Sequence, residues 1–376
     1  MTQKAVKKTE AEKAAPRIWP LILAAVIPAL LIALYYISIS RKDVMNWVST
    51  FIAAPYRDAA ARVTSFGPLK YFSVVEILIT ALALWLIYYI VKTVVCLITR
   101  PHKLYVLGRR VLILAVVALF IVAAYSWLWS TGYHSTDLAE KTGLGAGGVT
   151  VQQLTSTATL FAENANALSS VVKRDADGHF SEERGYYFEM SKGVYSNIEA
   201  QFPALAGTSF TPKAMLYSKL MSAVGFTGVY IALTGETNVN VDAPSCLIPA
   251  TIAHEMAHQR GVTQEAEANF AGIAACVTSN ITVYEYSGYL QGLLYLLDAL
   301  QKADPAACGQ IMSTLNQNVL TDWKDNSDYW EKNETPATAA VTAIYDGYLK
   351  SNGQELGMAS YGACVDMLAT WQGGQK

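Results

Sequence analysis

Three apolar stretches constrain this chain before anything finer is read. They are "IWPLILAAVIPALLIALYYISI" (Ile18 to Ile39), "FSVVEILITALALWLIYYIVKTVVCLI" (Phe72 to Ile98) and "VLILAVVALFIVAAYSWLW" (Val111 to Trp129). Each is close to the roughly 20 apolar residues that a helix needs to cross a bilayer. Trp, Tyr and basic residues sit at several of their ends, as membrane-interface anchors do. The first stretch is longer than a signal-peptide core and no small-x-small cleavage site follows, so it reads as a retained span. The chain is therefore expected to be a multi-pass membrane protein, with a transmembrane region over residues 18–130. A charged, disordered cytoplasmic head (1–17) precedes it and a separate domain (131–376) follows.

Orientation follows from the flanking basic residues. Lys4, Lys7, Lys8, Lys13 and Arg17 precede the first span, and Arg100, Lys103, Arg109 and Arg110 separate the second from the third without an acid among them. Both segments are expected in the cytoplasm, which leaves everything after Trp129 outside. The loop from Ser40 to Tyr71 also carries five basic residues, diluted by Asp43 and Asp58. Within it, "VMNWVSTFIAAPYRDAAARV" has apolar residues at mixed three and four spacing, as either an interface-lying amphipathic helix or a plain connecting helix would. Residues 131–376 hold 13 basic and 25 acidic groups, so this domain is a poor partner for nucleic acid or anionic lipid. Its Cys246, Cys276, Cys308 and Cys364 could form up to two disulfides in three pairings, or serve as small buried apolar side chains.

Beyond a Gly- and Ser-rich linker after Trp129, the domain reads as mainly α with a small β-sheet. Helical spacing runs over Val151 to Lys173 and about Glu182 to Phe202, and Pro212 opens another helix that closes at Gly225. "FTGVYIAL" and "TNVNV", within Phe226 to Val241, read as two short strands around a Gly235–Glu236 turn. Helices resume at Pro249.

The chemistry concentrates in "TIAHEMAHQRGVTQEAEANF" (Thr251 to Phe270). Pro249 and Gly261 bracket one helix. On it His254 and His258, four residues apart, share a face and can grip one Zn2+ ion, while Glu255 lies beside the metal as a general base for a zinc-activated water. No histidine follows His258, so a third protein ligand is expected to be a carboxylate. Glu267 is the first choice and Glu265 the alternative, on a second helix capped by Thr263.

His-Glu-x-x-His followed by Glu-x-Glu-Ala-Asn resembles the gluzincin class of zinc peptidases. More closely, "YSKLMSAVGFTGVY", "TGETNVNVDAP", "HEMAHQRG", "EAEANFAGIAAC" and "YSGYL" resemble a family of three-span bacterial membrane proteins grouped as domain of unknown function 3810. The resemblance implies an α+β gluzincin-like domain, a membrane-anchored metallopeptidase, His254, His258 and Glu267 as zinc ligands and Glu255 as catalytic base. It further implies strand addition of substrate onto "TNVNV". Glu236 would then contact a ligand or a substrate amine, Asn269 would orient a ligand, and Tyr286 or Tyr289 would stabilise the oxyanion. The expected hydrolase acts on a peptide, a protein or a cell-wall peptide outside the membrane. A membrane sensor or assembly protein with a structural zinc site is the competing expectation.

Overall fold

The computed structural model describes residues 18–144, 148–352, 354 and 361–374. The head expected to be disordered lies outside them. Three helices are long and apolar enough to cross a membrane: Trp19–Ser38, Val74–Thr99 and Lys103–Leu128. They make this a membrane protein. The third begins eight residues before its apolar stretch, because "KLYVLGRR" continues the same helix into its basic flank.

The chain divides into two compact units. One comprises the residues through Ser40 and Leu78–Trp127, the other Arg41–Ile77 and Leu128–Lys376. In the first unit, the Trp127 indole N–H donates to the Leu31 carbonyl and the Tyr89 hydroxyl to that of Arg110, both at 2.9 Å. Each satisfies a polar group where water is scarce.

The second unit is mainly helical. Its centre is the long helix Thr282–Ala303, which packs against Val151–Ser169, Glu265–Val277 and Tyr361–Gly373 through Phe161, Phe270, Ile273, Leu293, Leu296 and Trp371, all buried. On Val151–Ser169 and Thr282–Ala303 the buried residues recur at three and four spacings, so burial of one stripe holds each in place, whereas Glu265–Val277 is buried nearly all round. A three-stranded sheet lies beside this core in the order β1 (Lys213–Ala214), β3 (Glu236–Val239), β2 (Gly228–Ile231). β3 pairs parallel with β1 and antiparallel with β2, Ile231 standing opposite Glu236.

Several local expectations change. Pro212 opens β1 rather than a helix, and helix follows only at Ser218–Ala223. The helix expected over 182–202 is broken into Arg184–Met190, a 3-10 turn and Ile198–Gln201. Glu236 starts β3 instead of sitting in the turn. All five cysteines are free and buried, so they act as small apolar side chains and form no disulfides. The loop between the first two spans belongs with the second unit: Tyr56 donates to the Leu233 carbonyl at 2.9 Å, Thr64 to that of Thr234 at 3.1 Å, and Asn46 exchanges two hydrogen bonds with Thr136.

Candidate metal centre

The motif helix runs Ile248–Gln259 with Pro249 in its first turn, and Gly261, at φ 91°, stops it. The helix Glu265–Val277 returns across it. The two backbones come close because Gly272 has no side chain: a Cβ there would lie 2.7 Å from the His254 amide nitrogen. That approach brings the first turn of the return helix over the face carrying both histidines.

His254, His258 and Glu265 converge, each offering one donor atom within 4.8 Å of the others. The Glu265 carboxylate lies 3.3 Å from His254 Nε2 and 3.6 Å from His258 Nε2. Ligand atoms at about 2.0–2.1 Å from a tetrahedral zinc would be about 3.3 Å apart, so these separations suit one shared cation. His258 Nδ1 lies 2.6 Å from the Val262 carbonyl, an oxygen that can only accept. Nδ1 therefore carries a proton, which leaves Nε2, the nitrogen that faces Glu265, as the one that would bind a cation once it has given up its own. Trp129 packs edge-on against the His258 ring at 5.6 Å and fixes its plane.

The electrostatics favour positive charge at this point. Burial opposes a charge on His258, but the Glu265 carboxylate outweighs it and pushes the imidazole up to about 9. Burial likewise opposes ionisation of Glu265, yet the two imidazoles hold it well below the usual carboxylate range. The same field would attract a divalent cation. Glu255 is buried directly alongside, with its carboxyl raised by burial and partly drawn back by His254 and His258. Tyr230 of β2 offers it a backbone N–H, while its Oε2 has no partner.

Glu267, the first-choice ligand from sequence, is turned away from the histidines. It accepts the Ala139 amide at 2.8 Å at the start of the short helix Leu138–Thr142, and burial pushes its carboxyl up to about 7. Glu265 and Glu267 are two residues, about 200°, apart on a helix, so only one can face the motif helix. Thr263 is buried against Gly132, and Gln264 occupies the N-cap without capping the helix through its side chain, which donates to Asp137 at 3.3 Å instead.

The two tyrosines expected at the oxyanion also lie elsewhere. Tyr286 is buried on Asp322 and Arg174, receiving a hydrogen bond from Arg174 at 3.2 Å and donating to Asp322. Tyr289 packs edge-on against Phe161 in the core. Glu236 pairs with Lys213 and accepts the Val74 and Val75 amides, both at 2.9 Å, so it caps the second membrane helix. Asn269 meets the Tyr295 hydroxyl at 3.4 Å. β3, which holds most of "TNVNV", is the central strand; β2 is the edge strand beside Glu255.

Two contributors carried no sequence signal. Tyr345 donates to Glu265 Oε1 at 2.5 Å, from a helix (Pro336–Ser351) whose capping residue Thr335 bonds the Ala223 carbonyl. Its place eighty residues downstream is set by packing alone. Trp129 and the segment after it, expected to be a linker, form one wall of the centre.

The fold and site together describe a membrane protein with a His-His-Glu cluster beside a buried glutamate. The family described as "Protein of unknown function (DUF3810)" matches residues 56–369, and the chain belongs to it. No curated protein and no solved structure matches the chain.

Proposed function

We propose that this protein is a membrane-anchored, zinc-dependent peptidase with a gluzincin-like site. The observation that carries the reading is the convergence of His254, His258 and Glu265 with Glu255 buried alongside. A purely structural zinc site is closed by four protein ligands, whereas three donors leave a fourth position open for water or substrate. Burying a carboxyl one residue from a ligand costs desolvation, and such groups cluster at functional sites.

His254, His258 and Glu265 would hold the ion, which when bound supplies an acidified water and polarises a peptide carbonyl. Tyr345 holds Glu265 in the rotamer that faces the histidines, and the Val262 carbonyl does the same for His258. Glu255 takes the proton of the attacking water and passes it to the departing amine nitrogen. A carboxylate serves both halves of that transfer, because a base must also release the proton it takes. The edge strand β2 gives an extended peptide a backbone to pair with beside Glu255.

The basic flanks support a cytoplasmic N-terminus and a site outside the membrane. A periplasmic-type reporter fused after Trp129 is then active and one fused near Lys103 inactive; the reverse pattern would overturn the placement. For the chemistry, full-length protein is incubated with a mixed peptide library and isolated cell-wall fragments. Cleavage is expected from wild type and to fall about a hundredfold or more in Glu255→Gln, with zinc retained. Equal cleavage by both would remove Glu255 from the mechanism. A zinc-loaded wild type that cleaves nothing would instead favour a sensor or assembly role.

A further inference from the structure

The segment between the first two spans is folded into the second unit, yet it leaves a series of large apolar side chains bare. Trp47, Phe51, Val63, Phe66, Tyr71 and Phe72 are all more than half exposed, Phe66 reaching 80%. Leu216, at 83%, and Leu220 add to them, and Leu216 is tied to the same segment because its amide donates to Glu76 at 3.1 Å. Solvated loops rarely carry so many aromatic residues. Both ends of the segment are covalently bound to membrane helices: it starts three residues after Ser38 and runs into Val74–Thr99.

We infer that this surface lies in the headgroup layer of the bilayer that holds the chain's own spans. Aromatic and aliphatic side chains partition there, as on an interfacial amphipathic helix. The segment's charges do not drive the attachment. Arg41 pairs with Asp43, Arg62 with Asp58 and Lys42 with Glu140. Glu76 is spent on the Leu216 and Tyr217 amides. Lys70 lies over the Tyr71 ring at 4.8 Å, an interfacial pairing of cation and aromatic. With the charges paired off, apolar partition rather than anionic lipid sets the contact.

The segment also reaches the loop that follows the motif helix. Arg57, on the same segment, is buried against Gly261, three residues beyond His258, and donates to the Leu128 carbonyl at 3.3 Å. If the peptidase reading holds, its substrates are peptides lying on or tethered to the membrane surface.

The test uses the full chain in neutral phosphatidylcholine vesicles, with the five buried native cysteines as an unlabelled background. Phe51→Cys, Phe66→Cys and Leu216→Cys are each coupled to an environment-sensitive fluorophore, and Val171→Cys, exposed on the same unit, serves as the aqueous control. A spin-labelled lipid is expected to quench the three probes about twofold or more while iodide leaves them bright, with the control behaving in reverse. Raised salt is expected to leave the pattern unchanged. Iodide reaching all four probes alike would overturn the inference. So would probes shielded from both quenchers, which would mean that protein covers the face. Neither outcome bears on zinc binding or cleavage.

Discussion

Gly228 lies outside the motif, yet its substitution is expected to disable the centre selectively. A Cβ at this position would sit 2.6 Å from Glu255 Oε1, 2.7 Å from its Cγ and 2.9 Å from its Cδ. Non-bonded carbons need about 3.5–4.0 Å, so in Gly228→Ala either the Glu255 side chain or strand β2 must retreat by about 1 Å. Because Cγ is among the atoms struck, rotating the carboxylate alone does not relieve the clash. A base has to stay within about 3 Å of the proton it takes, and a displacement of that size costs on the order of a hundredfold in rate. Overpacking adds a stability loss of about 1–3 kcal/mol. Zinc content should be unchanged, since the nearest contacts of Gly228 are all with Glu255. Cleavage of the peptide library, zinc by mass spectrometry and thermal unfolding would be measured on the same preparations. In a Glu255→Gln background the alanine should cost little further activity, because both changes act through one carboxylate. Full activity in Gly228→Ala, or an undiminished loss in the double variant, would refute the reasoning.

Other perturbations separate the site from its supports. Tyr345→Phe removes a 2.5 Å hydrogen bond to Glu265 and should weaken zinc affinity by about tenfold or more, read by competition with a chelator. Asp322→Ala leaves half-buried Arg174 and the buried Tyr286 hydroxyl without their shared carboxylate and should destabilise the fold by about 1–3 kcal/mol in denaturant unfolding, with zinc content per folded molecule unchanged. Burial raises Glu267 to about 7, so between about pH 4.5 and 7 the native state holds a proton that the unfolded chain has released. Stability should therefore fall as pH rises through that window, by on the order of 3 kcal/mol in all, and Glu267→Gln should flatten the slope.

The parts of this protein that depend on local pattern were legible in its sequence. Three long apolar runs mark the membrane helices, and the spacing of His254, Glu255 and His258 places two imidazoles on one helical face. The choice between Glu265 and Glu267 was not local. It turns on the angle at which the return helix crosses the motif helix, which the bare backbone of Gly272 fixes and no spacing rule reports. Tyr286 and Tyr289 looked available because aromatic residues at helical spacing carry no mark of which side is core, and both proved to be packing residues. Glu236 was drawn toward the site by its nearness to the strands, whereas its partners are the amides of a membrane helix more than a hundred and fifty residues earlier. Tyr345 and Trp129 reach the centre only through tertiary packing.

The proposed function requires that His254, His258 and Glu265 hold one zinc ion, which zinc-edge X-ray absorption on the purified full-length protein reads at the ion itself. About one zinc per chain is expected, with only nitrogen and oxygen neighbours at about 2.0–2.1 Å, lost in Glu265→Ala and kept in Glu267→Ala. A sulfur shell at about 2.3 Å, zinc retained without Glu265, or no stoichiometric zinc at all would contradict it.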